Sequence, residues 1–235
     1  QRIMGYMRKA IQEYGMIEPG DRIAVGISGG KDSIALAAGL AGLQKFIGIP
    51  FQLVGVTLDP GWNGQRTDYG PIGQMCESMG MAYHVLETEI GPIVFEAREE
   101  SNPCSLCARM RRGALHDAAK QFGCNKIALG HHYDDAVETF VMNLFHEGRV
   151  GCFSPVTYLS RKDLTMIRPL IFAPEREIAS AVRKAGYPII KSQCPVDGST
   201  QREWTKNWLR QMEKEQKGIT KRLFGAMKRG HISDW

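Results

Sequence analysis

The sequence predicts an α/β fold: a doubly wound, mainly parallel five-stranded sheet followed by a basic helical C-terminal tail. Three observations predict it. Short apolar runs of strand length alternate with segments of helical periodicity over most of the 235 residues. Two of the strand–helix junctions carry glycine-containing polar motifs, SGGKDS and GHHYDD. The composition, 43% hydrophobic and 23% charged, is that of a globular chain, which excludes disorder and fibre. No apolar run approaches the ~18 residues of a membrane span. The opening QRIMGYMRKAIQEYG has no apolar core of the kind a signal peptide carries, so a cytoplasmic location is expected.

The elements follow in order. Ile3, Met4, Met7, Ala10, Ile11 and Tyr14 recur at helical spacing, and Gly15 with the Pro19-Gly20 turn closes that helix. Residues 22–27 form a buried strand, SGGKDS a turn, and residues 34–46 a helix. A second strand covers 51–58 and ends in the loop DPGWNG. Residues 69–79 are a helix, 82–86 a third strand, and 87–103 irregular and polar. Residues 107–122 are helical, 126–129 a fourth strand, 133–145 a helix. Residues 147–165 form a long loop or hairpin before a fifth strand at 166–167. Pro174 begins a helix over 175–185. Trp204, Trp208, Met212, Ile219 and Leu223 fall mostly at helical spacing in the tail, and the i, i+4 pair Trp204 and Trp208 is expected to face the core. The expected units are an N-terminal helix (1–20), a nucleotide-binding domain (21–195) and a basic helical segment (196–235).

Charge is unevenly placed. Residues 200–235 hold nine Lys/Arg against four Asp/Glu, which accounts for the whole net charge of +5. Such a segment suits a polyanion, or simply a solvated basic helix.

Ser28-Gly29-Gly30-Lys31-Asp32-Ser33 lies between a strand and a helix, where backbone N–H groups and a helix N-terminus make an anion cradle. The glycines allow close backbone approach, Lys31 adds a point charge, the two serines donate, and Asp32 suits Mg2+ beside phosphates. It is not a Walker A loop: Val25 stands where the first glycine belongs, and Asp32 where Ser or Thr follows the lysine.

Of six cysteines only Cys104 and Cys107 are close, in CSLCARMRRG at the start of a helix. The helix N-terminus with Arg109, Arg111 and Arg112 is expected to lower the thiol pKa. Zinc, a redox dithiol and an iron–sulfur cluster all use C-x-x-C. Cys194, in a loop, is the best remote third ligand; Cys152 is a weaker one, and Cys76 and Cys124 read as small buried hydrophobes. GHHYDD sits at the C-terminal end of a strand, where open α/β sheets bind ligands. Asp135, then Asp134, suit a magnesium or phosphate-side role, and His131 or His132 a phosphate contact or proton shuttle; helix capping is the plainer reading.

SGGKDS resembles the pyrophosphate loop of the PP-loop ATPases, whose fold is adenine nucleotide alpha hydrolase-like and which cleave ATP between the α and β phosphates. Joined to CSLCARMRRG, GHHYDD and a late lone cysteine, it closely resembles the tRNA 2-thiocytidine synthetase (TtcA) family from the first strand to about residue 228. The resemblance implies a [4Fe-4S] cluster on Cys104, Cys107 and Cys194, with ATP and Mg2+. It implies catalytic roles for Lys31, Asp32 and Asp135. It implies nucleotide contacts from Ser28, Gly29, Gly30, Lys31, Asp32, Ser33, Leu58, Asp59, Gly130, His131 and Asp134. Arg168 in RPL faces a phosphate or tRNA, or a salt bridge. The expected partners are the anticodon loop of a tRNA, a sulfur donor such as a cysteine desulfurase or free sulfide, and a second copy in a homodimer.

Of three rivals, two are disfavoured less by composition than by motif. A PP-loop ligase or amidotransferase has no need of three cysteines, and a non-catalytic cluster protein has no need of an ATP loop. A TtcA-like enzyme acting on another nucleotide or a small molecule, or removing sulfur from a thiolated base, shares every motif.

Overall fold

The computed structural model describes residues 1–97, 103–195 and 201–235. Its centre is a six-stranded sheet in the order β3-β2-β1-β4-β6-β5. The strands are β1 (Arg22–Gly26), β2 (Gln52–Asp59), β3 (Ala82–Glu87), β4 (Lys126–Ala128), β5 (Val156–Leu159) and β6 (Leu164–Ile167). All neighbours run parallel except β5, which pairs antiparallel with β6 through Val156↔Ile167 to Leu159↔Leu164. One strand more than expected is therefore present. Residues 156–159 place too few side chains on each face for alternation to register, and Tyr158 points outward at 63% exposure, as an edge strand allows.

The chain moves outward from β1 to β2 and β3, then returns to the other side of β1 with β4. That reversal makes the C-terminal ends of β1 and β4 the topological switch point, where such sheets open a ligand crevice. SGGKDS follows β1 and GHHYDD follows β4, so topology alone brings the two motifs together.

Alternation along β1 sends Ile23 and Val25 to one face and Ala24 to the other. The first face is covered by α1 (Arg2–Tyr14), α2 (Lys31–Gln44), α3 (Gly70–Ser78), α6 (Tyr133–His146) and α7 (Glu175–Ala185). In α1, Ile3, Met7, Ala10 and Ile11 are buried, the predicted stripe. Ile3, Met7 and Ile11 each contribute roughly 1.5–3 kcal/mol of transfer free energy. The second face is covered by α5 (Pro103–Gln121), through Ala118 and Ala119 against Val54, Val56 and Ile127. Helix α5 starts four residues earlier than its apolar pattern implies, because Pro103 suits a first helical position. Residues 90–97, expected to be irregular, form a helical turn, α4 (Ile90–Pro92), and a π-type turn over Ile93–Ala97.

The C-terminal α8 (Gln201–Glu215) and α9 (Ile219–Arg229) pack on the outer side of α6, with Leu209, Trp208, Leu223 and Phe224 against Val137 and Val141. The expected boundary at 195/196 borders residues outside those described. Trp204 does not join the core: it is 52% exposed, edge-on to His146, while Trp208 meets Phe145. Spacing of i, i+4 says that two side chains share a face, not that the face is covered.

Candidate active site

Gly29 adopts φ +87°, a left-handed conformation that an L side chain would strain, and so turns the chain from β1 into α2. Ser33 locks the turn. Its hydroxyl donates to Gly30 O at 2.9 Å and accepts from Ser28 N–H at 3.1 Å, with Ser28 Oγ at 3.2 Å. Lys31 and Asp32 then stand in the first turn of α2, where backbone N–H groups lack helical acceptors. Lys31 Nζ lies 3.0 Å from Asp32 Oδ2 and 2.9 Å from Glu175 Oε1.

The loop after β4 presses directly on this turn. A Cβ on Gly130 would come 3.1 Å from Asp32 C and Ser33 N. His132 and Asp135 form a capping box at the head of α6: His132 N–H donates to Asp135 Oδ2 at 2.9 Å, and Asp135 N–H to His132 Nδ1 at 3.3 Å. Accepting at Nδ1 leaves the imidazole proton on Nε2, 3.6 Å from Asp32 Oδ1. Asp134 Oδ2 accepts from Glu175 N–H. Both acidic residues of the motif are thus engaged in holding helix ends, and Asp135 also meets Arg202 of α8.

Between the two loops and α5 lies a cavity of about 580 Å3. Among the expected residues it is lined by Ser28, Asp32, Ser33, Leu58, Gly130 and His131. Asp59 is turned away to pin its own loop, accepting from Gly61 and Thr67 N–H groups. Arg111 and Arg112, expected only to act on the thiols, complete the walls with Arg168 and with His116 and Thr157, of which the pattern of residue types gave no notice.

Arg168 is 7% exposed, donates to Ser154 O, Thr157 Oγ1 and Met166 Sδ, and stacks over Phe153. No carboxylate among the described residues lies within ion-pair distance of it. Burial pushes its pKa down to about 10. Burial, then the Arg168 guanidinium, push His131 down to about 4, so its ring is neutral at pH 7. Five buried side-chain polar atoms lack a hydrogen-bond partner among the described residues. Four of them belong to cavity residues: Asp32 Oδ1, His116 Nε2, His131 Nδ1 and Arg168 Nε. Such atoms cost about 1–3 kcal/mol each unless something bonds them, so this wall of the cavity stores an unmet hydrogen-bonding demand.

Beyond the Ala108 end of the cavity, Cys107 is buried beside Trp62, Ile90, Val94 and Leu106, and Cys194 packs on the same cluster. Cys104 is exposed one turn earlier on α5. Burial pushes the Cys107 thiol up, opposed by Arg111, so the expected lowering does not occur there. Among the described residues no three His, Cys, Asp or Glu side chains are gathered closely enough to hold a metal ion. The charges of Cys194 and Cys104 nonetheless both reach Cys107. Soft thiolate donors beside an apolar cluster are the donor set of an iron–sulfur cluster, so the chemistry of the residues fits one. Cys152 stands apart, its thiol on Ala136 O and raised to about 11 by burial. Cys76 and Cys124 are buried, as expected.

A phosphate-cradling turn after β1, facing the loop after β4 across a polar crevice, defines a PP-loop ATP-binding protein, and the PP-loop domain family matches residues 4–214. The tRNA-cytidine(32) 2-sulfurtransferase of Geobacter sulfurreducens is 39% identical over 97% of this chain and 89% of its own. That of Geotalea daltonii is 40% identical over 97% and 90%. The chain belongs to this tRNA-cytidine 2-sulfurtransferase family of PP-loop proteins. Among solved structures it is similar to the U34-tRNA thiolase NcsA from Methanococcus maripaludis with its [4Fe-4S] cluster. The TM-score is 0.79, with 25% identity over 97% of this chain and 78% of that one.

Proposed function

We propose that this chain is an ATP-dependent, iron–sulfur-dependent enzyme that converts a cytidine in the anticodon loop of tRNA to 2-thiocytidine. The observation that carries it is one cavity lined by Ser28, Asp32 and Ser33 of the PP-loop together with Arg111, Arg112 and Arg168. The family membership and the similarity to a cluster-bearing tRNA thiolase support the same reading.

The C2 carbonyl of cytosine is a poor electrophile because oxide is a poor leaving group. Attack of that oxygen on the α-phosphorus of ATP expels pyrophosphate and turns the oxygen into part of AMP. Sulfur replaces it at C2 and AMP departs. In this reading the N-terminus of α2 and Lys31 bind the pyrophosphate side, with Asp32 the residue to hold Mg2+ there. Arg168, with no carboxylate among the described residues within ion-pair distance, balances phosphate charge, and the neutral ring of His131 lines the same cavity. Leu58 gives an apolar wall at the end of β2 for the adenosine. Cys104, Cys107 and Cys194 would hold the cluster, which would supply the sulfur as sulfide. An unpaired anticodon loop presents the base without melting a duplex.

The sulfur donor in this reading is a cysteine desulfurase or free sulfide and the assembly a homodimer, both on family resemblance; an RNA substrate implies the cytoplasm. No helix among the described residues is long and apolar enough to cross a membrane. The test is mass spectrometry of tRNA nucleosides from cells lacking the gene. Loss of 2-thiocytidine is expected; its persistence with a change in another thionucleoside would transfer the activity to that base.

A further inference from the structure

The PP-loop lysine is joined to the C-terminal helix through a single oxygen. Glu175 Oε1 lies 2.9 Å from Lys31 Nζ and 2.9 Å from Lys206 Nζ of α8. All three side chains are three-quarters buried or nearly so, with exposures of 30% for Lys31 and 23% for each of the others. Glu175 is itself fixed, because its backbone N–H donates to Asp134 Oδ2 at 2.7 Å. Lys206 is fixed by its helix: one turn earlier Arg202 reaches Asp135, Glu138 and Thr139, all on α6. Burial pushes the Glu175 carboxyl up, but the two lysines outweigh it and hold the group down at about 2, so the carboxylate is charged throughout the working range.

Lys31 therefore faces two carboxylates, Asp32 and Glu175, and must turn from at least one of them to meet a phosphate. A carboxylate oxygen that already serves a second ammonium holds the first less tightly. We propose that Lys206, delivered by the C-terminal helix, is a positioning residue of the ATP site: by sharing Glu175 Oε1 with Lys31 it leaves the Lys31 ammonium able to bind the phosphates. The basic segment is then more than a surface for RNA, since one of its lysines completes the phosphate loop from behind. This rests on the reading of SGGKDS as the ATP loop.

Equilibrium binding of α,β-methylene-ATP with Mg2+ to the full chain tests it, and needs no cluster and no turnover. Lys206→Gln is expected to raise the Kd about fivefold, the upper range for a partly exposed ion pair. In a Glu175→Gln background the same substitution is expected to have little effect, because its intermediary is gone. A general loss of positive charge near a polyphosphate would instead weaken binding equally in both backgrounds, and that result, or an unchanged Kd for Lys206→Gln, overturns the proposal. Should Lys206→Gln fail to fold, Lys206→Met, which keeps the apolar stem, takes its place in the same cycle. Lys31→Ala separates the two levels: if it binds the analogue as well as wild type, the ATP-loop reading fails first. If it abolishes binding while Lys206→Gln changes nothing, the loop reading stands and the bridge does not.

Discussion

Asp134 Oδ2 accepts the backbone N–H of Glu175 at 2.7 Å, so the head of α6 holds the head of α7 across 41 residues of sequence. Glu175 is the first residue of α7, preceded by Pro174, which has no N–H and so leaves Glu175 as the first donor of that helix. A carboxylate there satisfies an orphan donor and meets the positive end of the helix dipole. Asp134→Ala is expected to cost about 1–2 kcal/mol in chemical denaturation, in line with loss of a helix cap. Asp134→Asn, which keeps an acceptor oxygen, is expected to recover at least half of that. Equal losses for both variants would mean that charge, not the cap, sets the stability.

How much of this was legible in the sequence depends on distance along the chain. SGGKDS and GHHYDD read correctly as loop–helix junctions because strand, turn and helix start are adjacent in sequence. Cys104 and Cys107 read as one turn of a helix for the same reason. Glu175 is 144 positions from Lys31, and only packing of α7 beside α2 joins them, so no local pattern marks it. Lys206 and Arg202 carried the faint signal of an i, i+4 basic pair, indistinguishable from a solvated helix face. Asp135 shows a different limit: the spacing His132-x-x-Asp135 suits a phosphate-side acid and a capping box alike, and side-chain geometry places it in the box.

The pH profile of stability has a predictable acid limb. His116 is buried and its pKa is lowered, first by burial and then by Arg112. The unfolded chain therefore binds this proton more readily than the folded one. The stabilisation is present above about pH 6.5 and is lost as pH falls toward the folded pKa, with a slope of at most about 1.4 kcal/mol per pH unit. His116→Gln has no such proton to take up. Urea denaturation from pH 7.5 down to 5 is expected to show a shallower decline for the variant; parallel curves would place the acid limb on other groups.

Thiol reactivity should rank the cysteines. Cys104 is exposed, Cys107 is buried with its thiol raised, and Cys76 and Cys152 are raised by burial to about 11. Since the thiolate is the nucleophile, iodoacetamide is expected to label Cys104 first, Cys107 later, and Cys76 and Cys152 last. Peptide mass spectrometry of timed samples reads this directly. Anaerobic reconstitution with iron and sulfide is expected to add about four irons per chain and to protect Cys104, Cys107 and Cys194 together. Protection of Cys152 in place of Cys194 would reassign the third ligand.

Gly130 is where the two motif loops touch. Its absent side chain lets the end of β4 lie against the backbone of Asp32 and Ser33, where a Cβ would sit 3.1 Å from two main-chain atoms. Backbone cannot rotate aside as a flexible side chain does, so Gly130→Ala must push the first turn of α2 away and misalign its N–H groups. Binding of α,β-methylene-ATP is expected to weaken at least tenfold, since helix N-terminal anion sites depend on that alignment. Gly113, in the interior of α5, is the control: a Cβ there meets nothing within 4 Å. Gly113→Ala is expected to leave nucleotide binding intact and to raise stability by roughly 0.5–1 kcal/mol through helix propensity. If Gly130→Ala instead bound the nucleotide as tightly as Gly113→Ala, the phosphates would not be held by the turn that Gly130 supports.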